Sequence, residues 1–445
     1  MASDLLTIAR SGVKAARIQL DITAQNITNA STEGYVRRSV ATEEVVSLGY
    51  LGQNRDVSLS GVRVSGVIRN ADAFRQAEVR RTGADTARAD TEVTGLENIN
   101  AALENSGVYD AITGFEAALQ QLTQAPTDTP LRAATIAAAQ TMATSFNIAS
   151  NQLDAVAAGQ QAGAADGVAQ VNAMASELAQ VNARLSRMAD VTTDRSGLFD
   201  QRDKILGQMA RYANIATSFA PDGSVAVTLG GTSGAPLVSG NSAQSVAITT
   251  AADGTITYAV NGGAVTLSGG SLAGQQQVLV NVADVHTRLD DLARTVVNTV
   301  NTAQAGGTAL DGTAGGALFS GSTAATIAMA TTQGSAIATA GPGAPAGSRD
   351  ISNLKALQNA LTSADPAGTM DTILYHASAA VQSRTTTRDA LKTISDAAKT
   401  ALLAQSGVDL DTEAINLTRF QQAFQASGRV IQVASDLFNS LLAIR

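Results

Sequence analysis

The sequence predicts a mainly α protein with a β insert. The expected parts are paired coiled-coil helices at the two chain ends, an elongated helical-bundle rod domain, and a small antiparallel β outer domain. Three observations carry this expectation. Apolar residues repeat every seven positions at both ends of the chain. Interior stretches keep helical spacing over many turns. One segment, 214–281, has only Asp222 and Asp253 as charges and is rich in Val, Thr and Gly.

The first helix carries Leu6, Val13, Leu20 and Ile27 at one heptad position, with Ala9, Ala16, Thr23 and Ala30 three residues after each. The last carries Leu417, Phe424, Ile431 and Phe438, followed by Phe420, Ser427, Ala434 and Leu441. A period near 3.5 keeps one narrow stripe facing a partner helix, so both read as coiled-coil seams. The small residues of the first leave room for the aromatic ones of the second. Isolated helices of this length are marginal in water, so the pair is expected to need burial against neighbouring copies.

Asn, Ser and Gly stop the first helix before Tyr35. Residues 36–69 alternate weakly and contain Gly49, Gly52, Gly61 and Gly66, as an extended, partly β connector would. Helical spacing returns around Asp72 and continues through Leu96, Ile99 and Leu103. A short helix bears Ile112, Phe115, Leu119 and Leu122. Pro126 and Pro130 break the chain, with Thr129 as the expected cap of a long helix that includes Val171, Leu178 and Leu185. Another helix holds Leu198, Ile205, Met209 and Tyr212, with Asp200 and Asp203 on its outer face or latched to a neighbouring helix. Asp222-Gly223, Asp253-Gly254 and Asn261-Gly262 punctuate alternating runs and read as hairpins with type I′ turns. Helix resumes at Val282. Residues 305–348 are mostly Gly, Ala, Ser and Thr and read as a long loop or an irregular β extension. Two more helices follow, one through Leu354, Leu357 and Leu361, the other through Ile373 to Leu402. Asp409, Asp411 and Glu413 then open the last helix, where the helix dipole favours carboxylates. The expected domains are 1–44 plus 407–445 for the terminal helices, 45–213 plus 282–406 for the rod, and 214–281 for the β insert.

The net charge of −8 and the absence of a basic stripe argue against a nucleic-acid partner. Without cysteine there is no disulfide framework or thiolate metal site. The first residues include Asp4 and no secretory-type apolar block, and no apolar run is long enough to span a membrane. Membrane insertion is not expected. Little of the chain suggests chemistry. His286 and His376 lie on helices without the further ligands a metal needs. Ser11-Gly12-Val13-Lys14 matches a Ser-x-x-Lys pattern, but Val13 is a seam residue and no Lys-Thr-Gly partner exists. Asp200 and Asp203 stand near Arg195 and Arg202, which favours ion pairing over a carboxylate dyad. Asn26-Ile27-Thr28 matches a glycosylation sequon by pattern only. The chain is expected to be no enzyme and to need no cofactor.

The chain ends carry a resemblance. Gln25-Asn26-Ile27-Thr28-Asn29 followed by Gly34-Tyr35-Val36-Arg37 resembles the Asn-Asn-Ile-x-Asn … Gly-Tyr/Phe-x-Arg signature of the bacterial flagellar axial proteins of rod, hook and hook-associated type. Gly407–Asn416, Phe420–Ala426 and Leu441–Arg445 are similar to that family's carboxyl end. Ser196-Gly197-Leu198-Phe199-Asp200-Gln201-Arg202-Asp203 resembles a Leu-Leu-Asp-Gln-Arg-Asp segment of the hook-associated protein 1 family, the first of two subunit types at the hook–filament junction. Thr326–Ala330 is similar to a segment of the same family. The sequence departs from the pattern at Gln25 and Ser39-Val40, and it is short around 310–325, where many relatives carry a second outer insertion.

The resemblance implies a structural subunit of the flagellum, forming the junction between hook and filament by self-assembly of its terminal helices. It implies export through the flagellar type III apparatus from the cytoplasm, with an extracellular destination. It further implies a homo-oligomeric ring, with hook protein below, the second junction protein above, and a cytosolic export chaperone on the C-terminal helix until export. The expected assembly residues are Leu6, Val13, Leu20, Ile27, Leu417, Phe420, Phe424, Ile431, Phe438 and Leu441. The signature residues are Asn26, Ile27, Asn29, Gly34, Tyr35, Arg37, Asp200, Gln201, Arg202 and Asp203. Two other readings fit part of the pattern: a hook or distal-rod subunit and, from another class, a secreted fibre or adhesin protein.

Overall fold

The computed structural model describes residues 2–32, 34–48, 57–188 and 193–443. In chain order it comprises helix α1 (Ala2–Thr28), strands β1 (Arg38–Leu48) and β2 (Val57–Arg69), and helices α2 (Ala73–Ser106), α3 (Val108–Leu122), α4 (Thr129–Leu185) and α5 (Thr193–Tyr212). Strands β3 (Ile215–Phe219), β4 (Val225–Leu229), β5 (Ala235–Ser239), β6 (Ser242–Ala243), β7 (Val246–Thr250), β8 (Ile256–Val260) and β9 (Gly263–Val265) follow. Helix α6 (Ser271–Ala305), strands β10 (Phe319–Ser320) and β11 (Ala328–Met329), and helices α7 (Ser352–Ala364), α8 (Pro366–Ser406) and α9 (Leu410–Ala443) complete the chain. The protein is mainly helical with small antiparallel sheets, as the sequence predicts. Glu33, Gly49, Gly52, Ile444 and Arg445 lie outside the described residues, as does the side chain of Leu441.

The chain divides into two compact units, Met1–Ala84 with Val171–Ser245 and Lys392–Arg445, and Asp85–Gln170 with Val246–Leu391. In the first unit α1 packs against α9, and β1 and β2 form an antiparallel hairpin that also packs on α1. The stretch expected as a connector is therefore a hairpin; its weak alternation is explained by two register shifts, at Ala41/Thr42 and Glu44/Val46. Strands β3 to β6 form one four-stranded sheet. Asn182 on α4 stitches this sheet to the helix: its Nδ2 donates to the Val225 and Gly240 carbonyls, both at 2.8 Å, and its Oδ1 accepts from Val225 N–H at 2.9 Å.

The second unit holds a core that includes Phe115, Phe146 and Leu289. Two glycines let α2 and α6 approach closely. A Cβ on Gly95 would lie 2.3 Å from Val278, and one on Gly274 would lie 2.8 Å from the Arg88 carbonyl. Residues 214–281, expected as one β insert, instead contain two sheets, the second built from β7, β8 and β9 within this unit. They also contain the first turns of α6, which begins at Ser271 rather than near 282. Leu272, Val278 and Leu279 already point inward there, but the polar Gln275-Gln276-Gln277 run masks the periodicity.

The turn chemistry also differs from expectation. Asn261 and Gly262 both have positive φ, as a type I′ turn requires. At Asp222 and Asp253 only the following glycine does. Each aspartate Oδ1 instead accepts the N–H and hydroxyl of the residue two positions on, Ser224 or Thr255, which closes a longer turn.

The Gly/Ala/Ser/Thr segment after α6 contains the short antiparallel pair β10–β11 and is held to the helices by side chains. Arg132, 1% exposed, donates to the carbonyls of Pro126, Gly334 and Ile337 and to Thr339 Oγ1 at 2.6–3.0 Å. Asn301 and Asn353 bond its backbone at Phe319 and Ala338. Buried backbone groups must find partners, and helix-borne amides supply them. At the head of α4 the cap is Asp128, whose Oδ1 accepts from Leu131 N–H at 2.8 Å; Thr129 is already helical.

Candidate functional site

The terminal pair is antiparallel. Asn26 Nδ2 reaches Glu413 Oε2 at 3.2 Å, and a Cβ on Gly12 would lie 2.9 Å from Ser427 Oγ. These contacts are fourteen residues apart on each helix and in opposite order. On α1 the small residues Ala9, Ala16 and Thr23 are buried, while Leu6, Val13, Leu20 and Ile27 are half-buried. On α9 Ala434 is buried, Leu417, Phe420 and Ile431 are half-buried, and Phe424 and Phe438 are 40% and 51% exposed.

A second stripe on α9 was not read from the heptads. Ile415, Val430, Val433 and Leu437 recur at helical spacing on a different face of the helix, and all are exposed, Ile415 by 69%. α9 therefore carries two neighbouring apolar stripes, one partly covered by α1 and one open.

Where this pair meets the rest of the first unit, signature residues distant in sequence converge on a polar latch. Asn26 is its pivot. Its Oδ1 accepts from Tyr35 Oη at 2.8 Å and from Arg38 N–H at 3.0 Å, and its Nδ2 donates to the Arg38 carbonyl at 2.8 Å. Glu413, 1% exposed, accepts from Arg37 Nε at 2.7 Å, and Arg37 N–H bonds the Ser406 carbonyl. The first turn of α9, the exit of α8 and the chain after α1 are thereby tied together. Asp200 on α5 bridges Arg38 at 2.8 Å and Arg69 at 2.7 Å. Asp203, one turn on, bridges Arg69 at 2.7 Å and Arg202 at 2.9 Å and also accepts from Gln76. Arg202 lies over the rings of Phe199 and Phe219 at 4.8 and 4.6 Å.

Burial by itself would raise the Asp203 carboxyl, but Arg69 and Arg202 outweigh it and hold the group below the ordinary carboxylate range. Burial pushes the Arg202 and Arg80 guanidinia down, opposed by Asp203. Burial raises the Tyr35 phenol despite Arg38 beside it. The latch is an array of held charges, and nothing in it forms a nucleophile–base pair. Among the described residues no group of His, Cys, Asp and Glu has the geometry to hold a metal ion, and no helix is long and apolar enough to cross a membrane.

Of the signature residues, Asn26, Tyr35, Arg37, Asp200, Arg202 and Asp203 meet in the latch. Gln201 does not; it donates to Glu177 at 2.8 Å on the surface. Asn29 bonds back to Gln25, Ile27 stays half-buried in α1, and Gly34 supplies a positive φ in the turn. The sequence missed Arg38, Arg69, Gln76 and the structural role of Glu413. Glu413 reads as a dipole carboxylate, yet the α9 cap is Asp409, whose Oδ1 accepts from Asp411 and Thr412 N–H. The available signal was a cluster of arginines around 37–38 and 69 in a charge-poor chain.

Two family models describing flagellar basal body rod proteins match the ends, one over residues 6–35 and one, for the C-terminal region, over 400–444. The two ends, which carry the terminal helix pair, are thus similar to those of flagellar axial proteins. The model for the "Flagellar hook-associated protein FlgK helical domain" matches residues 93–319, just over half the chain. The chain belongs to this hook-associated family. It is 25% identical over 225 residues to flagellar hook-associated protein 1 of Bacillus subtilis, covering 49% of this chain and 44% of that protein. It is 26% identical over 264 residues to the protein of that name from Salmonella typhimurium, covering 57% and 46%. The chain spans about half the length of the curated relatives it matches. The flagellar hook junction protein FlgK from Burkholderia pseudomallei has a similar fold, with a TM-score of 0.50 at 24% identity over 55% of this chain and 46% of that one.

Proposed function

We propose that this chain is a structural subunit of the bacterial flagellum and forms the junction between hook and filament. One observation carries the reading: the terminal helix pair only partly covers its seam, with Phe424 and Phe438 exposed, and leaves the Ile415, Val430, Val433 and Leu437 stripe of α9 open. Copies close that face against one another and form a ring, with hook protein below and the second junction protein above. The latch holds each tail at a fixed attitude to α5 and the hairpin, so that bending load on the tail passes through buried ion pairs rather than through a hinge. Export precedes assembly: the chain leaves the cytoplasm through the flagellar type III apparatus, and a chaperone covers the apolar α9 until then. The chain works as a mechanical part and turns over no substrate.

Gold-labelled antibody against this chain, applied to isolated flagella, tests the reading. It should mark a single band at the hook–filament boundary. Label along the filament, or on no part of the flagellum, would refute it.

A further inference from the structure

Beside the terminal pair, α1 and β2 enclose a groove of about 660 Å³. Lys14, Ile18 and Asp21 of α1 line one wall, and Val62, Val64 and Val67 of β2 line the other. Lys14 and Asp21 are exposed and have no ion-pair partner among the described residues. The α1 wall reads cation, apolar residue four positions on, acid seven positions on.

The open face of α9 carries the same pattern. Arg429, Val433 and Asp436 stand at the same spacing, all exposed, and neither Arg429 nor Asp436 has an ion-pair partner among the described residues. Seven residues of helix rise about 10.5 Å, so the two cation–acid spacings match. Laid antiparallel, Lys14 meets Asp436 and Asp21 meets Arg429, and Ile18 falls within one residue of Val433. Laid parallel, like charges would meet at both ends.

We infer that the α9 stripe of one copy seats in the α1–β2 groove of a second copy, with the pairs Lys14–Asp436 and Asp21–Arg429 setting register and direction. This rests on the assembly reading above and names the surfaces that mate. Within one copy α1 and α9 are antiparallel, with Asn26 against Glu413. In an assembly whose copies all point one way, α9 of each copy is therefore antiparallel to α1 of the next. The charge pattern accepts only that direction. Val430 and Leu437, on the flank of the stripe, supply apolar surface for the hairpin valines. The ion pairs select the partner face and the apolar contact supplies the affinity.

The test is a charge swap in the full chain, produced in cells lacking their own copy. The amount incorporated into isolated flagella is compared with the amount exported into the medium. Lys14→Asp and Asp436→Lys should each lower incorporation about tenfold by placing like charges together, with export and the thermal melt unchanged. The double variant should recover to within about twofold of the original chain. Single variants that incorporate normally, or a double variant as poor as the singles, would overturn the pairing. A chain lacking 410–445 separates the two readings. If it fails to incorporate while the single swaps are silent, only this contact is wrong. If it incorporates, the assembly reading is wrong as well.

Discussion

Replacing Asp200 by alanine removes the carboxylate that holds both Arg38 and Arg69. The two bonds lost are 2.8 and 2.7 Å long, and the carboxylate is 16% exposed. Arg69 keeps Asp203 at 2.7 Å, whereas Arg38 loses its ion-pair partner and keeps only the Tyr35 ring at 5.0 Å. Arg38 Nε and Arg69 Nη2 are buried and already lack acceptors, so no spare partner stands ready. A hydrogen bond to a charged group contributes about 1.5–3 kcal/mol, and breaking a buried pair from one side costs about 3–5 kcal/mol. With partial solvent access to Asp200 and one surviving partner for Arg69, the expected loss is about 3 kcal/mol. For a unit of this size that lowers the melting transition by about 6–12 °C. Scanning calorimetry measures the shift, and amide exchange locates it: residues 35–38 and the first turn of α9 should lose protection while α3 and α6 do not. Asp200→Asn, which keeps the shape and loses the charge, should fall between the two. A loss below about 1 kcal/mol for Asp200→Ala, or a loss of protection spread evenly over both units, would refute the latch as the element that fixes the tail.

Three further outcomes follow from the same reasoning. The Asp203 carboxyl releases its proton more readily folded than unfolded, where the ordinary value is about 3.9, so its contribution is present above that value and lost as pH falls through the lower folded one. Asp203→Asn should therefore flatten the decline in stability between about pH 5 and pH 3 seen in denaturant titrations, and an unchanged decline would contradict this. Gly95→Ala forces a methyl against Val278 and should cost about 1–3 kcal/mol by chemical denaturation; a neutral result would mean α2 and α6 separate freely. Arg132→Lys cannot reach four acceptors with one ammonium group, and should expose the amides of 334–340 to exchange while α4 remains protected.

The helices were legible because their apolar spacing is a local property. Phe115, Leu119 and Leu122 sit on the buried face of α3, and the Ser406-Gly407 stop falls where α8 ends. What stayed illegible depends on groups far apart in the chain. No spacing rule connects Arg38 with Asp200, 162 positions away, or Arg37 with Glu413, 376 away. The heptads of α9 were read as the seam with α1, so the exposed stripe at Val430, Val433 and Leu437 was hidden by the stronger pattern beside it. The segment after α6 read as a long loop or an irregular β extension because its one strand pair, β10–β11, is only two residues long and much of the remaining order comes from Arg132 and several amides on helices. The β insert was recognised in kind through Asp-Gly and Asn-Gly turns. Its division into two sheets was not, since both halves share one composition.

The account depends on the terminal helix pair being the part that builds the junction. Electron microscopy of cells lacking this chain, supplied either with the full chain or with one ending at Asp409, tests that most directly. The expected result is hooks without filaments for the shortened chain and restored filaments for the full one. Filaments of ordinary length on hooks capped by the shortened chain would contradict it.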